Sequence, residues 1–437
     1  MNVMNMDVLW FVNKPITPTM VEAHKNSGTG GWLEGLASIV CADVTLSVAY
    51  VDPYGPAEIK SDFLTCYAIR PRAWRTRLLA RSLFNVGHDD GPILDQAREI
   101  VEKVRPDLID IHGTEKAFGG LMPEARSKGI PVLLTLQGIL GSFQRHIQGG
   151  YDDLFLRTFF YDYGGSLQSL FPKRVANHKR HVQKQAIREH LYIRQAEFIS
   201  GRTQWDRRIS MLINPPCHYF HVDRALRTDF YKNRWLSPNP SEPFRVHTTL
   251  GDSLMKGFDV LAEAAALLDE NDIPVEWSIA GISSSSMSVK AARKKMGVRF
   301  PDRSFQLCGR LNPESLIRKM CEAHVYVMAS YMENSPNNLA EAMCLGMPCV
   351  ATLAGGSGSY IRDGEDGILV QPGDPLGLAG AIAQLKNDPG FARALGECAR
   401  ERALKRHSPE LVKKQLLGAY KEILASKQES EMPRPVV

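Results

Sequence analysis

Short apolar runs alternate along this chain with longer segments whose apolar residues return every three or four positions. In the first half the short runs are DVLWFVN (7–13), VTLSVAYV (44–51), LIDIHG (108–113), PVLLTLQG (131–138) and EFISGRT (197–203). In the second half they are FRVHTTL (244–250), VEWSIAG (275–281), FQLCGRL (305–311), VYVMASY (325–331) and PCVATLAG (348–355). They are short, nearly continuous and rich in β-branched side chains, which predicts strands buried on both faces. ILDQAREIVEKV (93–104), FDVLAEAAALLDE (258–270), PESLIRKMCEA (313–323) and NNLAEAMCLG (337–346) carry the helical period between them. Strands alternating with helices give parallel sheets covered on both sides. Two such sets predict two doubly wound α/β domains, with ligands bound beyond the carboxyl ends of the strands.

The polar, Pro-rich stretch RWLSPNPSEP (234–243) predicts the join. The expected domains are residues 1–235 and 236–408, followed by a last helix, PELVKKQLLGAYKEILA (409–425). The polar tail SKQESEMPRPVV (426–437) is expected to be disordered. The amino terminus, MNVMNMDVLWFVNKP, lacks the basic start of a signal peptide, and its apolar run ends at Asn13. No apolar stretch approaches the roughly 18 residues needed to cross a bilayer. Cytoplasmic location is the expectation.

Composition narrows the function. Hydrophobic residues are 44% and charged residues 23% of the chain, the balance of a soluble globular protein. A net charge of +5 is too diffuse for a dedicated nucleic-acid binder. The eight cysteines form no CxxC pair and no metal-ligand spacing, so no metal site is expected and the thiols read as small core residues.

The chemistry concentrates after the run VYVMASY, in Glu333-Asn334-Ser335-Pro336-Asn337-Asn338-Leu339-Ala340-Glu341. Ser335 suits an N-cap and Pro336 a first helical position. The free amides of Asn337, Asn338 and Leu339, with the helix dipole, can then hold a phosphate. Glu341 lies about 7.5 Å further along the helix axis, where its carboxylate can accept from a ribose diol. Glu333, before the helix, reaches a sugar beyond the phosphates.

ENSPNNLAEAMCLGMPCVATLAGG resembles the E-x7-E signature of retaining glycosyltransferases of family 4, and IRDGEDGILVQPGDPLGLAGAIAQLKNDP resembles the rest of their second domain. IHGTE (111–115), LQGILG (136–141), GRTQWD (201–206) and LRTDFYKNRW (226–235) look like segments of bacterial polysaccharide-assembly members. The resemblance implies the GT-B fold: two Rossmann-like domains facing a cleft, with the last helix crossing back onto the first. It implies transfer with retention from a nucleoside diphosphate sugar, a UDP-sugar, to a glycan or lipid-linked glycan, without a metal. His112, Glu333 and Lys256 would form the catalytic set, with Lys256 on the donor diphosphate. Gly30 and Gly31 of KNSGTGGWLEGL would approach that diphosphate, and Arg310 and Leu311 of CGRLNPES the nucleobase. Glu115, Gln137 and Gly138 would face the acceptor. One departure stands out: the family's usual arginine, five positions before the lysine, is Gly251 here, with Arg202 as candidate replacement.

RPRAWRTRLLARSLF (70–84) interleaves five arginines with Trp74, Leu78, Leu79, Leu83 and Phe84. It reads either as an interfacial helix on anionic lipid, placing the protein on the inner face of the plasma membrane, or as an ordinary amphipathic helix. KRVANHKRHVQKQAIREH (173–190) is a second basic stretch in the same half. Two rival functions remain at this level. One is a nucleotide-sugar epimerase or hydrolase of the same fold; the other is a catalytically silent scaffold subunit.

Overall fold

The computed structural model describes residues 6–27, 31–52, 54–70, 90–163, 171–239 and 243–431. Its first sheet contains β1 (Asp7–Val12), β2 (Thr45–Val51), β3 (Glu58–Lys60), β4 (Leu64–Ile69), β5 (Leu108–His112), β6 (Val132–Thr135), β7 (Phe198–Gly201) and β8 (His218–His221). The order is β3-β4-β2-β1-β5-β6-β7-β8. Only β3 runs antiparallel to its neighbour among these described strands. The second sheet contains β9 (Arg245–Thr249), β10 (Glu276–Ala280), β11 (Phe305–Gly309), β12 (Val325–Met328), β13 (Cys349–Thr352) and β14 (Ile368–Val370). Its strands are all parallel, in the order β11-β10-β9-β12-β13-β14.

Alternation within each central strand explains why its residues are apolar throughout. In β1, Val8, Trp10 and Val12 enter one core while Leu9 and Phe11 enter another on the opposite face. In β12, Val325 and Val327 face one cluster, Tyr326 and Met328 a second. Each sheet is therefore sealed on both sides by helices, as parallel sheets require.

The last helix, Pro409–Glu431, returns to the first sheet. Val412, Leu416, Tyr420 and Ile423 recur at helical spacing and join the core that holds Trp10 and Val48. It runs six residues past the expected end at 425, so residues 426–431 are helical rather than disordered, while 432–437 lie outside the described residues. Residues 226–235, expected in the first domain, pack on the second instead. Leu226, Phe230 and Trp235 are buried against its helices, because the apolar face of the short Thr228–Lys232 helix has a ready core there. The strands β3, β4, β8 and β14 were not anticipated. β3, β8 and β14 are short sheet edges, where half-covered positions dilute the apolar run.

Residues 71–84 of the basic, aromatic stretch lie outside the described residues. The second basic stretch falls within a long helix, Phe171–Gln195. Arg188 of that helix pairs with Asp90 at 2.6 Å. No helix among the described residues is long and apolar enough to cross a membrane.

Candidate active site

The carboxyl ends of both sheets face each other across a cleft, where Asn334 and Asn337 of ENSPNNLAE bond Thr203, Gln137 and Arg224 from beyond the first sheet's strands. Its helix begins one residue later than the sequence pattern indicates, at Asn337, with Pro336 as the extended N-cap. Proline has no side-chain acceptor, and Ser335 Oγ is buried without a partner among the described residues. Ser335 therefore does not compete for the first-turn amides. Asn338 Oδ1 takes the Leu339 amide instead, at 3.0 Å. Of the three expected phosphate donors, the amides of Asn337 and Asn338 stay available while that of Leu339 is occupied. Asn338 Nδ2 also donates to the Thr249 carbonyl at the end of β9, at 2.7 Å, fixing the helix start against the centre of the second sheet.

Glu333 and Lys256 come together although 77 positions separate them. Lys256 Nζ lies 2.5 Å from Glu333 Oε1, which also accepts from Ser330 Oγ at 2.8 Å. Lys256 ends a tight turn, Leu254–Lys256, before the Phe258–Glu270 helix. Gly257 makes that turn with φ +74°, and a Cβ there would collide with the Ala329 carbonyl. Asp252, beside Gly251, is spent elsewhere. Its carboxylate accepts from the Met287 and Ser288 amides, each at 2.9 Å, and so caps another helix.

Glu341 is buried and held by Arg227 in a bidentate pair, both contacts 2.7 Å. Burial raises its carboxyl above the usual range while Arg227 pulls it back. Arg227 lies in LRTDFYKNRW, a segment of family resemblance, but nothing in spacing connects it with Glu341, 114 positions on. Two ties between the domains are equally unmarked by spacing. Thr203 Oγ1 donates to Asn334 Oδ1 at 3.1 Å, and Asn334 Nδ2 to the Gln137 carbonyl at 3.3 Å.

On the first-domain wall His112 is fully buried at the end of β5, its ring 4.7 Å from Trp10 and 5.8 Å from Trp32. Burial, then Arg202 and Arg224, hold its pKa well below the usual histidine range, so the imidazole is neutral. Beneath it lies Asp110, 3.4 Å away, whose carboxyl burial pushes up to about 7. Thr135 Oγ1 and Tyr420 Oη donate to Asp110 at 2.6 and 2.7 Å, and Trp10 Nε1 donates to Tyr420 Oη at 2.9 Å. The returning helix thus supplies a floor for His112.

Glu115 accepts from Asn13 Nδ2, and Gln137 Oε1 from Arg224. Gly138 packs against Phe143, which leaves no room for a side chain. Gly31 precedes the Trp32–Val40 helix, and its amide is taken by Glu34 Oε2 at 2.8 Å, so Glu34 occupies the donor expected to meet phosphate. Gly30, with Gly28, lies outside the described residues. Arg310 is exposed and Leu311 half-buried beyond β11, an edge strand, apart from the charged cluster.

Residues 247–388 match the family described as "Glycosyl transferases group 1". The chain is 31% identical over 187 residues to a D-inositol 3-phosphate glycosyltransferase of Corynebacterium urealyticum, covering 41% of this chain and 43% of that one. It is 36% identical over 103 residues to a lipopolysaccharide core biosynthesis glycosyltransferase of Rhizobium meliloti, covering 24% and 29%. The chain thus spans less than half the length of these curated relatives. Among solved structures, the sucrose-phosphate synthase of Thermosynechococcus elongatus superposes with a TM-score of 0.68 at 17% identity, over 97% of this chain and 100% of that one. HepE of Anabaena in complex with UDP-glucose gives 0.62 at 14%, over 96% and 100%. These whole-length likenesses show the fold, which is GT-B.

Proposed function

We propose that this protein is a glycosyltransferase that moves a sugar from a nucleoside diphosphate donor, a UDP-sugar, to a glycan or lipid-linked glycan acceptor with retention of configuration. Bacterial polysaccharide assembly is the setting we assign. One observation carries the reading: the free amides at the Asn337 helix start and the Lys256–Glu333 pair converge on one cleft, with Glu341 one turn along the helix. The second-domain family match and the names of the relatives support it.

In this reading the bond from the sugar's anomeric carbon to the diphosphate oxygen breaks, and negative charge grows on the departing phosphate. Lys256 and the amides of Asn337 and Asn338 stabilise that charge. Glu333 holds sugar hydroxyls with the oxygen that Lys256 does not occupy. Glu341 accepts from the ribose with the lone pairs that Arg227 leaves open. The acceptor hydroxyl attacks the face being vacated and passes its proton to the leaving phosphate oxygen. Neither glutamate acts as nucleophile. His112, neutral, contributes a hydrogen bond near the transferred sugar. With the diphosphate charge met by protein cations and amides, transfer needs no metal.

The test is turnover of a panel of nucleotide sugars with a bacterial membrane extract as acceptor. Sugar should enter the extract, and Lys256→Ala and Glu333→Ala should each lower the rate by about 100-fold or more. Release of free sugar alone would favour a hydrolase, epimerised donor an epimerase, and no turnover a scaffold. Unchanged transfer in both variants would overturn the site assignment.

A further inference from the structure

Two arginines line the first-domain side of the cleft without any carboxylate partner among the described residues. Arg202 is 2% exposed and Arg224 8%. Both lie over the face of Trp32, Arg224 at 4.2 Å and Arg202 at 5.4 Å from the ring centre. Among the described residues, their side-chain hydrogen bonds go to neutral acceptors. Arg202 Nη1 donates to the Leu136 carbonyl; Arg224 Nη2 donates to Gln137 Oε1 and Nη1 to Asn337 Oδ1, the latter at 3.2 Å. Nε of each is buried with no partner among the described residues, as is Gln137 Nε2.

The carboxylates around them are committed elsewhere: Glu115, which acts on Arg224, accepts from Asn13 Nδ2. Asp206 accepts from the Arg202 and Thr203 amides and from Tyr219 Oη; Asp223 is paired with Arg406 and His221. Two buried like charges facing amide oxygens are stable only where an anion completes them. Arg224 touches Asn337, the residue that opens the phosphate-facing helix, so a guanidinium and the helix amides bound the same space.

Gly251, on the opposite wall, is the position where the resembling family carries its second cation. A Cβ there would meet nothing within 4 Å, so the space an arginine would fill is open. We propose that this chain supplies that cation from the first domain: Arg224, backed by Arg202 across Trp32, binds the donor's terminal phosphate in place of the residue missing at Gly251. Arg202 itself, the replacement expected from sequence, is tied to Leu136 and sits one layer behind. Binding would exchange the neutral contacts to Asn337 and Gln137 for phosphate oxygens. This inference rests on the proposed function above.

The experiment is calorimetric binding to the full chain, first of UDP, GDP and ADP to the wild type, then of the tightest of these and its monophosphate to variants. Arg224→Gln should weaken the diphosphate roughly 10- to 100-fold, the range for a charge-assisted contact, and the monophosphate little. Arg224→Lys should fall between, keeping the charge but losing the fork. Gly251→Arg added to Arg224→Gln should restore diphosphate affinity. Equal loss for both nucleotides would overturn the proposal, since Arg224 would then only hold the domains together. Unchanged diphosphate binding by Arg224→Gln would overturn it while leaving the transferase reading intact. A wild type that binds no nucleoside diphosphate would overturn both.

Discussion

Tyr420→Phe probes the returning helix and the floor of the cleft at once. The hydroxyl is fully buried; it donates to Asp110 Oδ2 at 2.7 Å and accepts from Trp10 Nε1 at 2.9 Å. Removing it orphans a buried indole N–H, at a cost of about 1–3 kcal/mol, and deletes a bond to a carboxylate worth about 1.5–3 kcal/mol when that group is ionised. The sum is about 2.5–6 kcal/mol at pH above 8. The pH dependence follows from Asp110. Its carboxyl, raised from 3.8 to about 7 chiefly by burial, binds its proton more tightly folded than unfolded. Its contribution is therefore full below about pH 4 and is lost as pH rises through about 7. Tyr420 is one of the groups pulling that pKa down, so Tyr420→Phe raises it further and extends the loss to higher pH. The penalty at pH 5, where Asp110 is protonated and the deleted bond is an ordinary one, should be smaller by about 1–2 kcal/mol. Urea unfolding followed by far-UV circular dichroism at pH 5 and 8.5 measures both. In an Asp110→Asn background the difference between the two pH values should disappear. A penalty equal at both pH values, or one that keeps its pH dependence without Asp110, would refute the reasoning.

Three further substitutions test the joints of the site. Gly257→Ala meets the Ala329 carbonyl at a positive φ; it should cost about 2–4 kcal/mol by thermal unfolding and displace Lys256 enough to lower transfer. Arg406→Met removes the 2.8 Å partner of Asp223, whose carboxyl burial would raise but His221 and Arg406 hold at about 2. The cost should be about 3 kcal/mol above pH 4 and should vanish as acidification protonates Asp223, which acid titration of the melting point will show. Arg227→Met leaves Glu341 buried without its bidentate partner, so stability should fall by about 3 kcal/mol at neutral pH and by less at pH 5. Adding Glu341→Gln should recover most of it, measured as a double-mutant cycle.

What the sequence could reveal divides along a physical line. β1 and β12 were legible because each buries both faces, and burial on both faces writes itself as an unbroken apolar run. β3, β8 and β14 were not, because an edge strand half-covered by its neighbours needs no such run, although the edge strand β11 was legible and β4, inside the sheet and buried on both faces, was missed. The site divides the same way. The eight-residue interval from Glu333 to Glu341 is local, so the helix start, its first-turn amides and the two acids could be placed, with an error of one residue because proline closed the turn as the N-cap. The cations were not local. Lys256 and Arg227 lie in segments of family resemblance, but their pairing with Glu333 and Glu341 has no signature, and Arg224 lies in no such segment, since spacing encodes contact only within an element. Yet the cations decide how the acids behave. Glu333 is held by Lys256 and Glu341 by Arg227, so each acid has one side already neutralised and its direction fixed. Arg202 and Arg224 are the reverse case, charges built into the wall with no carboxylate bonded to their guanidiniums among the described residues. Under the proposed function, a cleft that balances its acids and leaves two guanidiniums without a carboxylate partner would suit a ligand carrying negative charge. That would separate it from a neutral sugar pocket.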